Sequence, residues 1–472
     1  MSAMTHNDEK DRYRNNSLVA NYAHKFSDKI KFESNLRVAE TYSQYDKEQD
    51  TSTADHSEEL DALQSSANIS LVYEPNSQFT NKFTLANAYI ERIVADIRVL
   101  STKYNKNISI LGDLQGPKIR LGNILPDTVI KKGDSITFST KTIKNGNSER
   151  ATINYASFPK DVKKGETILV DDGKIILQVE KTDRDTSVSL IVIQGGLLSS
   201  NKGVNLPSTK ISLPALTPKD IKDAKFAAKL GFDWVALSFV RSKNDVLQLR
   251  EILDKSSDEL IPIISKIEKP QAISKMDQII KVSNGLMVAR GDLGIETDLS
   301  NLPNIQRKIM ATCARYGVRS IVATHLLESM IENPTPTRAE VTDVANAIYE
   351  GSDAVMLSGE TTIGKYPTEA VNFISRIAKQ TEKYKTLGYE KKLIAETDWQ
   401  HLGVAAKNIA EAIKADGIVA ITRSGQTAEI VSNAKPFMIP IFAFSNNKKT
   451  ENQLSLAGSV HAYSSPMYSD HE

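Results

Sequence analysis

A parallel α/β barrel interrupted by a small β domain is the fold class this sequence predicts, and three observations carry it. Apolar runs at Phe232 to Leu237, Leu260 to Ser265, Leu286 to Ala289, Arg319 to Ala323 and Ala354 to Leu357 alternate with helical patterns such as Pro218 to Leu230 and Pro303 to Tyr316. Such alternation is the rhythm of a parallel sheet covered by helices. A β-rich stretch from about Pro117 to Leu213 interrupts it, and polar ledges follow the strands. With Ile108 to Gly112 the strands number six, against the eight of a closed barrel, so the barrel is expected to be incomplete.

The stretch LIPIISKIEKPQAISKMDQIIKVSNGLMVARGDLGIE, residues 260–296, organises the rest. Leu260 to Ser265 reads as a strand that breaks into Lys266, Glu268 and Lys269 before Pro270. Side chains two apart on a strand share a face, so Lys266 and Glu268 point the same way. Ala272 to Val282 reads as a connecting helix. Leu286 to Ala289 reads as the next strand, ending in Arg290, Gly291 and Asp292. One such ledge alone is ordinarily a solvated loop. Two successive ledges of complementary charge, at the rim where parallel barrels keep their chemistry, point to a site. Two carboxylates suit a hard divalent cation, and a lysine beside them suits a transferring phosphoryl group.

Composition sets bounds. Lys plus Arg is 59 against 58 acidic residues, a net charge of +1, which gives no reason to invoke nucleic acid or a membrane surface. The single cysteine, Cys313, forms no intrachain disulfide and reads as a buried thiol. No apolar span of about 18 residues is present, and residues 1–10 are too polar for a signal peptide; the expectation is a soluble, cytoplasmic protein.

The first 90 residues differ in texture. They are rich in Asn, Ser, Thr, Asp and Tyr, and they alternate polar with apolar residues, as at Lys29 to Glu33, Asn68 to Tyr73 and Phe79 to Leu85, with a turn-like Glu74-Pro75-Asn76-Ser77. Period-two runs joined by polar turns read as antiparallel strands. The texture is similar to strand pairs of outer-membrane receptor barrels, and equally to a disordered polar extension.

SKIEKPQAI and GLMVARGDLGIE resemble successive barrel strands of the pyruvate kinases. VATHLLESM, NPTPTRAEVTDVANAIYEGSDAVMLSGETTIGKYP, LGDLQGPKIRLG and SSNKGVNLP resemble further motifs, in family order, from about residue 91 to about 460. The resemblance implies a (β/α)8 TIM-type barrel over 91–116 and 214–365, a β-barrel lid over 117–213 and a C-terminal α/β domain over 366–472, with residues 1–90 an unrelated segment. The family's opening strand and its Arg-x-Asn-Phe-Ser-His-Gly motif, whose arginine grips phosphate, have no match here. A junction near residue 90 accounts for this, and the C-terminal domain also stops short of the family's last elements.

Taken in order, the resemblance implies the following roles. Asp113 helps hold a monovalent cation and Arg120 reaches nucleotide phosphate. Lys118 stands where potassium-requiring members tend to have glutamate, so no K⁺ requirement is expected. In the lid, Asp172 and Lys202 face substrate, with Lys202 on ATP; by its own residues, Asp172 beside Gly173 reads first as a turn residue. Lys266 neutralises the phosphoryl group, Glu268 and Asp292 hold Mg²⁺ (or Mn²⁺), and the Gly291 and Asp292 amides meet the substrate carboxylate. Arg290 belongs with them. Thr324 lies over the reacting carbon, His325 departs from the commoner glutamine, and Ser358 lines the site. Thr337 to Glu340 resemble a subunit-contact region of a homotetramer.

Near the C-terminus, Gly417 to Ile421 reads as a strand running into Thr422-Arg423-Ser424-Gly425-Gln426-Thr427, followed by a helix over Ala428 to Ala434; a second helix covers Val404 to Ile413. A small-residue loop at a helix N-terminus is an anion site or an ordinary cap. In the family it binds a phosphorylated effector, through Thr422, Ser424, Gly425 and Thr427. The expected activity is phosphoryl transfer from phosphoenolpyruvate to ADP, giving pyruvate and ATP. The alternative is an inactive fusion or fragment lacking the phosphate arginine; a third reading, an outer-membrane receptor, predicts membrane fractionation.

Overall fold

The computed structural model describes residues 11–27, 30–45, 60–73 and 79–466. The turn expected at 74–77 lies outside them. The chain divides into two compact units, residues 1–93 and 94–472. In the first, strands Asp11–Ser27, Ile30–Tyr45 and Leu60–Tyr73 form an antiparallel sheet in that order, as period-two alternation requires. Phe79 to Leu85 is not a strand: it opens the helix Phe79–Lys103. Its alternating start was misread because the helical pattern that absorbs it begins only later, at Ile90 and Ile93-Val94.

In the second unit, six parallel strands follow one another in the order Leu111–Asp113, Trp234–Leu237, Ile263–Ile267, Gly285–Ala289, Arg319–Ala323 and Ala354–Met356. Strand parity sorts their side chains. Val235, Leu237, Ile263, Ile267, Leu286, Val288 and Val322 face the surrounding helices, in one apolar cluster. Trp234, Ala236, Ile264, Met287, Ile321 and Ala323 face the other way and form an inner cluster. The sheet is thus a parallel half-barrel, with helices outside and the short interior inside.

Local signals fix the connections. Thr217 caps the helix Pro218–Lys229 in a reciprocal box with Asp220. The fully buried Asp220 also accepts the Gly116 amide at 3.0 Å, tying that helix to the loop after the first strand. Gly116 needs its φ of +69°, and a Cβ there would meet Phe239 at 2.7 Å. Three expectations change. The connection after Lys269 is two short helices, Pro270–Ser274 and Met276–Ile280, not one over Ala272 to Val282; Lys275, at φ −112° and ψ 17°, breaks the run. The strand there extends to Ile267, so Lys266 lies inside it, and Arg290 opens a helix, Arg290–Glu296, rather than a loop.

The inserted lid has its own core, with Ile136, Phe138, Ile168, Leu177 and Leu190 fully buried. Its main sheet runs Val204–Asn205, Thr167–Val170, Ile175–Thr182, Ser187–Gln194, Ser135–Ser139 and Arg150–Thr152. At the other end, three parallel strands, Ile418–Ile421, Ile441–Ser445 and Val460–Ser464, carry the helices Gln426–Asn433 and Lys448–Leu454. The preceding helix starts at Asp398, six residues before the expected Val404, because Thr397 and Gln400 form a capping box. The helix Pro367–Thr381 contributes Ala370 and Ile377 to the barrel's apolar cluster.

Leu286 is fully buried in a central strand. Leu286→Ala is expected to lower stability by about 2–5 kcal/mol, read as a shift in the urea unfolding midpoint at unchanged slope.

Candidate active site

Parity assembles the rim. Asp113, Ser238, Lys266 and Glu268 all continue the inward-facing register of three neighbouring strands, two residues beyond Leu111, Ala236, Ile264 and Lys266 respectively. Their side chains converge. Lys266 Nζ lies 3.1 Å from both Asp113 carboxylate oxygens, 2.9 Å from Ser238 Oγ and 3.2 Å from Glu268 Oε1. Glu268 is 1% exposed and also accepts the Phe239 amide at 2.5 Å.

The electrostatics follow from burial. Desolvation pushes the Glu268 carboxyl above the ordinary glutamate range; Lys266 opposes that, and the negative charge of Asp292 adds to it. The like charges of Glu268 and Asp292 oppose each other, a tension that a cation between them would relieve. Burial alone would depress Lys266, but Glu268 and Asp113 outweigh it and hold the ammonium above the usual lysine value. Lys118 adds a second positive charge, its Nζ 3.8 Å from Asp292 Oδ1.

Asp292 lies in the first turn of the helix Arg290–Glu296. The Gly291 amide donates to Thr324 Oγ1 at 2.8 Å, and that hydroxyl donates to the Ala323 carbonyl at 2.7 Å. Thr324 (φ +67°) and His325 (φ +53°) are both left-handed, an unfavourable conformation, most of all for a β-branched residue. Arg290 holds them there. Its guanidinium donates to the carbonyls of Ala323, Thr324 and His325 and pairs with Asp343 at 2.6 Å. In this arrangement Arg290 braces the Thr324 loop and turns its charge away from the rim.

The remaining sites separate into groups. Arg120 donates to the Asn201 carbonyl at 2.8 Å. Lys202 pairs at 2.8 Å with Asp171, not Asp172; Asp172 is an exposed residue of the left-handed turn at φ +56°. The Ser358 amide donates to Glu360, a fully buried carboxylate that also accepts the Leu327 amide. In the C-terminal sheet, Thr422 Oγ1 accepts the Gly425 amide at 2.9 Å, while Ser424 and Thr427 are exposed. An open groove of about 500 Å³ passes Thr422, Arg423, Phe444 and Ser465.

Residues missed in the sequence had signals of two kinds. Ser238 was legible from the same spacing-by-two rule that found Lys266 and Glu268. Asp171 and Asp343 pair with Lys202 and Arg290 across the fold, and nothing local marks them. Among the described residues, no group of three or more His, Cys, Asp or Glu side chains could hold a metal. A pair of carboxylates is the protein share that an ion such as Mg²⁺ commonly takes, with its other oxygens from substrate and water.

Comparison with known proteins completes the picture. Residues 83–371 match the model of the pyruvate kinase barrel domain, and residues 400–472 that of the pyruvate kinase alpha/beta domain. Pyruvate kinase of Thermotoga maritima is 42% identical over 375 residues, 78% of this chain and 79% of that protein. Pyruvate kinase of Corynebacterium glutamicum is 41% identical over 380 residues, 79% of this chain and 78% of that protein. A crystal structure of a pyruvate kinase from Cryptosporidium parvum superimposes with a TM-score of 0.75 at 34% identity, covering 79% of this chain and 78% of that one. On sequence, on domain content and on fold alike, the chain belongs to the pyruvate kinase family.

Proposed function

We propose that this chain is a magnesium-dependent phosphotransferase that passes the phosphoryl group of phosphoenolpyruvate to ADP, in the cytoplasm, as the ATP-forming step of glycolysis. The observation that carries the proposal is the buried Lys266 ammonium, held between Glu268, Asp113 and Ser238 on the rim. Mg²⁺, or Mn²⁺, between Glu268 and Asp292 would supply Lewis-acid stabilisation of the enol and phosphoryl oxygens. The donor set fits: two hard carboxylates, one of them raised by burial and by its neighbour's charge.

The chain's own groups do the rest. Lys266 stays protonated and neutralises charge on the phosphoryl group in flight. On substrate binding, the Gly291 amide exchanges the Thr324 hydroxyl for the substrate carboxylate. That frees Thr324, which lies over the reacting carbon when the enolate takes its proton. Ser358 lines the same rim. Lys202 and Arg120, on the lid and its entry strand, meet nucleotide phosphate, and lid closure excludes water. Lys118 beside Asp292 supplies a fixed positive charge in place of K⁺. The Thr422–Thr427 loop accepts a phosphorylated effector, and the assembly is a homotetramer.

A second reading has its own observation. Among the described residues the parallel sheet has six strands, and Asp11–Ser27, Ile30–Tyr45 and Leu60–Tyr73 form an antiparallel sheet of their own. Without the family's phosphate-gripping arginine the chain is then a catalytically impaired fusion. A lactate-dehydrogenase-coupled assay for pyruvate separates the two. Pyruvate formation that falls by a factor of about a hundred to a thousand in Lys266→Met supports the enzyme; no pyruvate above background from the parent chain supports the fusion.

Two further outcomes are expected. Replacing Na⁺ by K⁺ leaves the rate unchanged in initial-rate assays; a clear rise would contradict the role of Lys118. Because the folded Lys266 value is raised, its contribution to stability is complete below the ordinary lysine value of 10.5 and is lost as pH rises through the folded value. Thermal unfolding followed against pH is expected to fall more steeply on the alkaline side for the parent than for Lys266→Met.

A further inference from the structure

A trio outside the reacting groups, with Lys269 and Glu296 buried and Asn205 half-buried, joins the lid to the rim. Glu296 ends the helix whose first turn carries Asp292, and its side chain is 1% exposed. One of its oxygens, Oε1, accepts from Lys269 Nζ at 2.6 Å and from Asn205 Nδ2 at 2.9 Å. Lys269 directly follows Glu268, and its ammonium also lies 5.6 Å from the centre of the Phe239 ring. Asn205 is on the lid, on the short strand that follows Lys202. The second oxygen, Oε2, is buried without a partner.

Stability alone does not explain such a trio. A buried ion pair is a weak stabiliser, and an unpaired buried oxygen is a cost. Directional contacts do fix separations, and three segments meet here: the one carrying Glu268, the one carrying Asp292 and the one leaving Lys202. A cavity of about 30 Å³, lined by Pro117, Lys118, Asn205, Phe239, Lys269 and Asp292, lies beside them. Close packing does not set the spacing at that point, so the polar contacts do. A few residues on, the lid's return to the barrel is gripped as well, since Arg241 donates to the Ile211 carbonyl at 2.9 Å and to the Leu213 carbonyl at 2.5 Å.

We propose that Glu296 is a positioning residue that couples the seat of the lid to the spacing of the Glu268 and Asp292 carboxylates. The metal half of this rests on the reading that those carboxylates hold a divalent cation. Glu296 touches no reacting atom; it acts through Lys269 and Asn205.

The test uses the full chain, with hydrogen–deuterium exchange for the lid and Mn²⁺ titration by electron paramagnetic resonance for the rim. Glu296→Gln is expected to speed exchange at residues 203–206, leave the lid core strand Ile175–Thr182 unchanged and weaken Mn²⁺ binding about tenfold. Lys269→Met reproduces the loss in Mn²⁺ affinity, and Lys269→Arg, which keeps a charged donor, restores it. Asn205→Ala touches neither carboxylate segment, yet through the coupling it weakens Mn²⁺ binding about fivefold; it decides the matter even where Glu296→Gln does not fold. A parent that binds Mn²⁺, with Asn205→Ala binding it equally well, overturns the coupling alone. A parent that binds no Mn²⁺ overturns the metal reading of the two carboxylates and the coupling with it.

Discussion

Everything at the rim depends on keeping one lysine and one carboxylate, Lys266 and Glu268, largely out of water together. Glu268 is almost wholly buried and Lys266 nearly so, with 1% and 13% of their side chains exposed. Removing either charge would strand the other, at a cost of about 3–5 kcal/mol for a buried pair broken on one side. The same burial makes the arrangement useful. In a site screened from solvent, a fixed ammonium and fixed carboxylates act on a transferring phosphoryl group far more strongly than they would in water. The parallel sheet provides this by register alone: three adjacent strands end in step, so residues of one parity arrive on one rim.

That parity was legible in the sequence, and so was most of the second unit. Apolar strand runs, the β-rich insertion and the Lys266–Glu268 spacing are local signals, and the structure brings Asp113, Lys266 and Glu268 together. What the sequence hid depends on tertiary neighbours. Lys202 pairs with Asp171 rather than Asp172 because a left-handed turn, with φ above +50° at both aspartates, leaves Asp172 exposed and Asp171 toward Lys202. Arg290 stands beside Asp292 in sequence and reads as part of its ledge. Once the strand gives way to a helix at Arg290, its guanidinium lies among the carbonyls after the next strand. The Phe79 to Leu85 alternation was overridden by a helix whose apolar pattern lies further along the chain.

Thr324 shows what the brace holds in place. Two consecutive non-glycine residues in the left-handed region cost of order 1–3 kcal/mol each. The strain persists because Arg290, clamped by Asp343, draws three successive carbonyls toward one guanidinium. That places the Thr324 hydroxyl on the Gly291 amide. The arginine thus contributes geometry, fixing a hydroxyl that bridges the Gly291 amide and the Ala323 carbonyl.

Burial along the sheet bears on how complete the barrel interior is. The central strands Gly285–Ala289 and Arg319–Ala323 are buried at every position, whereas all three residues of the edge strand Ala354–Met356 are only partly buried. At the opposite edge, Leu111 and Gly112 are partly buried and Asp113 is exposed. In a closed barrel, neighbouring strands would cover both edges. Lys266 takes its partners from Ser238 and Glu268 on inner strand ends and from Asp113 on the nearer edge, so the six described strands are enough to surround it. Phosphate binding is a different matter. The arginine motif of the family belongs to a strand that would lie beside Leu111–Asp113, at the edge where exposure is greatest. Setting the lysine and capturing a phosphate therefore place separate demands on this fold, and the described strands supply the groups around the lysine.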